Sequence, residues 1–411
     1  MKKSLLFLAM IIALPFVFFG GVVQANAAAP YVIGYQTDIT GVARASYAPI
    51  AEGFRLYMDS LNEKGGVNGH PVKVIYEDDK SEPGLAGGVA EKLITKDNVL
   101  AICGLGFSRS QPPVMELARK AGVAVITGYT ATSPLFPPKP ANNVFSVGVQ
   151  MHPKALPQGY GNAFVSSKMH PGGRVAVTAF DTPGARLCDD WSEGWSKKFG
   201  MNVVYRNEWP TNTQDFTPWL TKIAKAKPDI MISTIGGGIY IPLIRQMEKY
   251  GLENLDLLIV DFVNEGDLVK GIKQLSVGNG ENVLWLSRYA SALDPNRPEE
   301  FNKIAGAMKK YGSQYSISAL HAMGWTMARV VESALKICGW PCSRPDFIAA
   351  LEKVEVDTKG LTGGPIRFSV TDHYGPTWWK AYRWDAKTKG LKTVVDWYKL
   401  ELPDIMGKLK K

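Results

Sequence analysis

Apolar and polar positions alternate in blocks along this chain, and two periods take turns. Short continuous apolar runs at 31–34, 72–77 and 123–126 read as buried strands, and apolar residues spaced three or four apart at 50–64 and 84–96 read as helices. The stretch AICGLGFSRSQPPVMELARKAGVAVITGYTATSPL, 101–135, holds a whole strand, loop, helix, strand, loop unit. A Pro-rich segment at 134–140 breaks the rhythm. A second series then follows, with strands at 174–180, 203–207, 230–234, 257–261 and 283–287 and helices at 187–199, 216–226 and 241–250. The region 298–353 is mainly helical, and the end turns β-rich at 366–369 and 378–384. Regular alternation of strand and helix predicts α/β architecture with parallel sheets, and about 380 residues beyond the first 27 suggest two lobes rather than one core.

In parallel sheets the loops at the carboxyl ends of the strands face one crevice. Here those loops are 104–110 and 127–133, with a further loop at 36–47. Gly104 and Gly106 permit close backbone approach, Ser108 offers a hydroxyl, and a helix N-terminus follows. Thr130, Ala131 and Thr132 add hydroxyls and amides on the other edge. This is a seat for the carboxylate or other polar head of a small ligand; the competing reading is that Ser108 and Thr132 cap helices.

Lys2 and Lys3, an apolar run at 5–19 and Ala25-Asn26-Ala27 form a secretory signal peptide, 1–27, cleaved near Ala27, which predicts a periplasmic protein. The formal charge of +9 falls to +7 without those two lysines, and the positives are scattered, which argues against nucleic acid as a partner. Cys338 and Cys342 flank Gly339-Trp340-Pro341, close enough for a local disulfide in an oxidising compartment. Five histidines without paired ligand spacing argue against a metal, and no cofactor motif is present.

The order and spacing of several short motifs resemble those of the branched-chain amino-acid (Leu/Ile/Val) class of type I periplasmic solute-binding proteins. They are Gly65-Gly66-Val67-Asn68-Gly69 with Glu77-Asp78-Asp79 beyond it, Ala121-Gly122-Val123, Ala131-Thr132-Ser133-Pro134, Asp215-Phe216-Thr217-Pro218, Ala226-Lys227-Pro228-Asp229 and Gly363-Gly364-Pro365-Ile366-Arg367-Phe368. The resemblance implies two doubly wound lobes joined by three crossovers near Gly148, Ser287 and Gly364. That gives 28–148 plus 288–364 as lobe 1 and 149–287 plus 365–411 as lobe 2, closing on a ligand by hinge bending. It further implies a monomer that serves ABC permease subunits in the inner membrane.

Carried over residue by residue, the resemblance puts Ser108 on the ligand carboxylate, Thr130, Ala131 and Thr132 in the next loop, and an aromatic at Tyr47. The second lobe departs from the family pattern. Asp181-Thr182-Pro183-Gly184-Ala185-Arg186 stands where an aromatic is expected, Gly236-Gly237-Gly238 with Tyr240 just beyond stands at the next loop, and Asp261 is the nearest acid for a ligand ammonium. Either Asp261 holds an α-amino group, or the ligand lacks one and Arg186 with Tyr240 suits an aromatic or dicarboxylic acid; Arg186 as a plain surface cation is the competing reading. Thr371-Asp372-His373 past the last crossover reads as structural, and Trp378, Trp379, Tyr382 and Trp384 read as second-lobe core. Three function classes follow: a binding component of an importer, an exported ligand-sensing subunit for a membrane receptor, and an α/β enzyme. The enzyme reading fails for want of a GxSxG elbow, a Walker A loop or a third Gly at dinucleotide spacing after Gly104-Leu105-Gly106.

Overall fold

The computed structural model describes residues 28–130, 143–150, 157–235, 239–260, 263–272, 280–375 and 378–400. The signal-peptide segment, Ala131, Thr132, the Pro-rich segment, 236–238 and Asp261 lie outside the described residues. The first lobe opens with β1 (Tyr31–Thr37), α1 (Arg44–Asn62), β2 (Val72–Asp78), α2 (Pro83–Thr95), β3 (Ala101–Gly104), α3 (Gln111–Ala121), β4 (Ala124–Thr130) and β5 (Val144–Gln150). The second is built from α4 (Pro157–Met169), β6 (Arg174–Phe180), α5 (Pro183–Lys198), β7 (Asn202–Trp209), α6 (Thr217–Ala226), β8 (Ile230–Thr234), α7 (Tyr240–Lys249), β9 (Asp256–Val260), α8 (Glu265–Ile272) and β10 (Val283–Ser287). Then come α9 (Glu300–Tyr311), α10 (Ala319–Cys338), α11 (Arg344–Leu351), β11 (Glu355–Val356), β12 (Ile366–Arg367), β13 (Trp378–Asp385) and β14 (Gly390–Lys399).

The first sheet runs β2-β1-β3-β4-β5, all parallel. Along its strands alternate side chains enter different cores: Ala101 and Cys103 join one with Ile33 and Tyr35, while Ile102 joins another with Val123 and Val125. Burial on both faces is why these strands read as continuous apolar runs rather than alternating ones. Helices α1 and α10 cover one face and pack at backbone range: a Cβ on Gly53 would lie 2.2 Å from the His321 carbonyl oxygen, and one on Gly324 only 1.9 Å from that of Ile50. Cys338 and Cys342, at the end of α10, are disulfide-bonded with Cα atoms 5.7 Å apart.

The second sheet, β14-β13-β10-β9-β8-β6-β7, repeats that winding in β7-β6-β8-β9-β10 and then adds two antiparallel strands, so it is mixed rather than purely parallel. Trp379 and Ala381 enter one core while Tyr382 and Trp384 enter another. That split is the ordinary two-residue alternation of a strand, kept although the pairing with β14 shifts register at 379–382.

Three crossovers join the lobes and touch one another. Tyr289, after β10, donates its hydroxyl to the Val147 carbonyl at 2.5 Å, and the Ser146 amide donates to the His373 carbonyl at 2.9 Å. His373 itself is fully buried, stacked 4.0 Å from Phe145, with Nδ1 2.9 Å from the Val144 oxygen, a structural placement. Ile366 and Phe368, beyond the expected third crossing at Gly364, still pack in the core that holds β1 and α10. The chain joins the second sheet at β13.

Candidate ligand-binding site

The switch point of each winding, where neighbouring strands leave in opposite directions, lies between β1 and β3 in the first lobe and between β6 and β8 in the second. On the first-lobe side three aspartates freeze the loops. Asp38 accepts the amides of Gly41 (2.5 Å) and Ala43 (2.8 Å) and the Ser81 hydroxyl (2.5 Å). Asp78 accepts the amides of Ile39 and Lys80, and Asp79 accepts the Ser81 amide and the Gln36 side chain. These bonds satisfy backbone groups that would otherwise be stranded as the chain leaves the sheet.

The loop after β3 is drawn onto β1. Leu105 donates its amide to the Gln36 carbonyl at 2.7 Å, and Gln111 donates to the Gly106 carbonyl at 2.9 Å. Gly104 sits at φ +93, and a Cβ there would meet the Tyr35 ring at 2.7 Å and the Gln36 oxygen at 2.8 Å, so no other residue fits. Ser108 rides on this tight loop, 3% exposed, and its hydroxyl makes no hydrogen bond to another described residue. The capping alternative does not hold for Ser108, because the N-cap of α3 is Ser110, which donates instead to the Phe107 carbonyl.

Two expectations shift on this side. The loop expected over 36–47 ends earlier, because α1 begins at Arg44 with Pro49 inside it. Tyr47 therefore lies on the helix, buried at 6% exposure, where burial and then the nearby Asp38 and Asp79 raise its hydroxyl above the usual tyrosine range. The loop expected from 127 also starts later: β4 runs through Thr130, so Thr130 is the last residue of a strand.

On the second-lobe side, Thr182 caps α5 by accepting the Ala185 amide at 3.4 Å. Arg186, about half exposed, forms an ion pair with Asp181, so its guanidinium is already engaged. Tyr240 corrects the sequence expectation more strongly. It is fully buried among the residues behind the sheet, donates its hydroxyl to the Ser233 carbonyl at 2.8 Å, and presents no surface to a ligand. The residue that pattern reading missed is Glu265. It is the first residue of α8, 1% exposed, and burial pushes its carboxyl up to about 7. No sequence signal marked it, since a Glu at a helix start usually faces water and the helix dipole.

Two lobes of the same winding joined by three adjoining crossovers define the fold of a two-lobed binding protein. The chain belongs to the periplasmic binding protein family, whose model matches residues 30–390. An amino acid binding protein from Pseudomonas aeruginosa is 26% identical over 232 residues, 56% of this chain, and that match spans only 60% of the relative's length. Among solved structures, a solute-binding protein of an ABC transporter from R. palustris, in complex with 4-hydroxybenzoate, superposes with TM-score 0.76 at 20% identity, covering 93% of this chain and 100% of that one. A branched chain amino acid ABC transporter protein from Thermus thermophilus with bound valine gives TM-score 0.78 at 14% identity, covering 93% and 99%. At such identities the likeness is one of fold.

Proposed function

We propose that the chain is the solute-capturing subunit of an ABC importer, exported to the periplasm after cleavage near Ala27, and that it holds a small carboxylate-bearing solute between its lobes. The observation that carries this reading is Ser108: a buried hydroxyl without a hydrogen-bond partner among the described residues, on a tight loop at a switch point, just before the N-terminus of α3. Thr130, Ala131 and Thr132 complete the carboxylate seat, and Tyr47 backs it from α1. Lobe 1 takes in 28–148 and the segment from 288, with its last boundary moved beyond Phe368 because that ring lies against Phe145 of β5 at 5.2 Å.

A branched-chain or related amino acid needs an anionic partner for its ammonium, since an unpaired buried charge costs several kcal/mol. Asp261 is our assignment for that partner. An aromatic or dicarboxylic acid is the second reading, favoured by Arg186, whose ion pair with Asp181 is half exposed and free to exchange partners. The valine and 4-hydroxybenzoate complexes of proteins with this fold represent those two chemistries.

A thermal-shift screen of refolded protein against amino acids, benzoates and short dicarboxylates separates them. A ligand at about 100 times its dissociation constant adds about 2.7 kcal/mol of stability. A shift with Leu, Ile or Val assigns the ammonium partner, and a shift confined to acids lacking an amine removes Asp261 from the site. No shift with any carboxylate overturns the reading.

A further inference from the structure

The place where both lobes and a crossover meet is closed by a single acid. Glu265 lies past the carboxyl end of β9, and its Oε1 accepts from the Ser291 hydroxyl (3.0 Å), the Ala292 amide (3.2 Å) and the Ala319 amide (2.7 Å). The first two donors sit on the crossover that follows β10, and the third is the first residue of α10, which packs on the first lobe. Its Oε2 is buried and has no hydrogen-bond partner among the described residues. The flanks of the same helix hold the turn between α9 and α10: Asn264 donates to the Ser316 carbonyl at 3.2 Å, and Lys270 donates to the Ser316 hydroxyl at 2.6 Å.

The titratable groups packed around this junction come from four elements. Tyr382 on β13 accepts the Ser291 amide at 3.3 Å, and Asp294 behind it pairs with Lys380 at 3.1 Å. On the first-lobe side His321 Nδ1 is 2.9 Å from the Ser318 hydroxyl, and its Nε2 is 3.1 Å from Glu52, which also accepts from Ser313. On the helix of Glu265 itself, Lys270 is turned to Ser316. Among the described residues no cation forms an ion pair with Glu265, so its charge would stand in the junction without a counter-ion.

We propose that Glu265 is a proton-linked latch between the lobes: carrying a proton it lets the junction stay shut, and as a carboxylate it favours the hinge-open form in which it is hydrated. This rests on reading the chain as a hinge-closing binding protein. Opening removes the Ala319 donor and admits water, which returns the carboxyl to the ordinary glutamate range. In the closed form burial outweighs these donors and its own backbone amide and raises it to about 7. The closed form therefore binds the proton more tightly, and by linkage acid favours closure while base favours opening. The closing equilibrium falls by about tenfold or more between the ordinary glutamate value and pH 7 and levels off above it. Glu52 does not share this window: burial acts to raise it, but the hydrogen bonds from His321 and Ser313 leave it below its usual value.

The test needs no ligand. Small-angle X-ray scattering of the whole protein at pH 5.5 and pH 8.0 is expected to give a larger radius of gyration at the higher pH. Glu265→Gln, which stays neutral, holds the compact value at both. A radius independent of pH in the wild type overturns the latch, as does a variant that tracks the wild type. Should the variant not fold, infrared difference spectra of Asp189→Leu, which lacks the other fully buried acid, decide: the carbonyl band of a buried protonated acid must be present at pH 5.5 and lost by pH 8.0, and its absence at pH 5.5 sinks the proposal. A blank thermal-shift screen would count against the carboxylate reading and leave these outcomes untouched.

Discussion

The two lobes share one winding, β2-β1-β3-β4-β5 in the first and β7-β6-β8-β9-β10 in the second, yet their cleft edges are built in opposite ways. The first edge is a set of loops nailed down by Asp38, Asp78 and Asp79, and the buried Ser108 hydroxyl has no hydrogen-bond partner among the described residues. On the second edge the groups the sequence points to are held by the protein: Arg186 by Asp181, Tyr240 by the Ser233 carbonyl, and one oxygen of Glu265 by the crossover and α10. A rigid, unsatisfied edge can dock the part common to many solutes, their carboxylate, before anything else moves. On the proposed function, an edge whose groups must change partners engages only on closure, and that reading divides preorganisation and discrimination between the lobes.

The sharpest way to break this comparison is to loosen the first lobe's frame. Gly324→Ala puts a Cβ 1.9 Å from the Ile50 carbonyl oxygen, with backbone on both sides of the clash. Overpacking between two helices that cannot separate is expected to cost about 3 kcal/mol, read as a fall of several degrees in Tm. An unchanged Tm would mean that α1 and α10 are not held at backbone range. Next comes Ser108→Ala. Losing one hydrogen bond to a charged group weakens binding of the ligand found in the screen by about 1.5–3 kcal/mol, with Tm of the free protein unmoved. Equal loss of stability in the free protein would make Ser108 a structural residue.

The second lobe carries a buried acid with the opposite promise. Asp189 in α5 is fully buried, and neither carboxylate oxygen has a hydrogen-bond partner among the described residues. Burial holds it well above the usual aspartate range, and the pull of Arg206 does not offset this. Its folded value lies above its unfolded one. The stability it allows is therefore fully present below about pH 4 and is lost as pH rises toward the folded value. Asp189→Leu is expected to stabilise the protein at pH 7 by about 1–3 kcal/mol and to flatten that part of the Tm-against-pH curve. A destabilised variant with the slope intact would show that Asp189 is satisfied in solution.

What could be read from the sequence follows the same division. Strands β6, β8 and β10 coincide with their apolar runs residue for residue, because RVAVTAF, IMIST and VLWLS are buried almost throughout. Helix α4 gives a weak signal, because beside Tyr160, Ala163 and Val165 it buries a polar row, Gln158, Asn162 and Ser166, spaced by four, bonded to one another and to Ser192. A buried stripe of amides and hydroxyls looks like solvent-facing surface to any hydropathy pattern. The start of α1 was missed because Pro49 reads as a boundary, although the helix has already run from Arg44. Ser108 could be picked out because its loop obeys local rules of Gly and helix start. Glu265 could not, because its setting is made by segments 26 and 54 residues away along the chain.

The smallest effect is the one that places the second lobe's chemistry. Arg186 and Asp181 are both about half exposed, so their ion pair contributes about 0–1 kcal/mol to stability. Arg186→Ala should move Tm by no more than that. Its effect on affinity then separates two versions of the second edge. If the pair is only surface, a bound acid is held as tightly as before, and the discriminating contacts lie among the residues after β8 and β9. If Arg186 leaves Asp181 for the ligand on closure, affinity for a dicarboxylic or aromatic acid drops by tenfold or more, as expected for a charge-assisted hydrogen bond worth about 1.5–3 kcal/mol. In that case Asp181→Asn should tighten binding, because the competitor for the guanidinium has lost its charge. Opposite signs from two neighbouring substitutions cannot arise from a loss of folding, so the pair tests partner exchange without reference to stability.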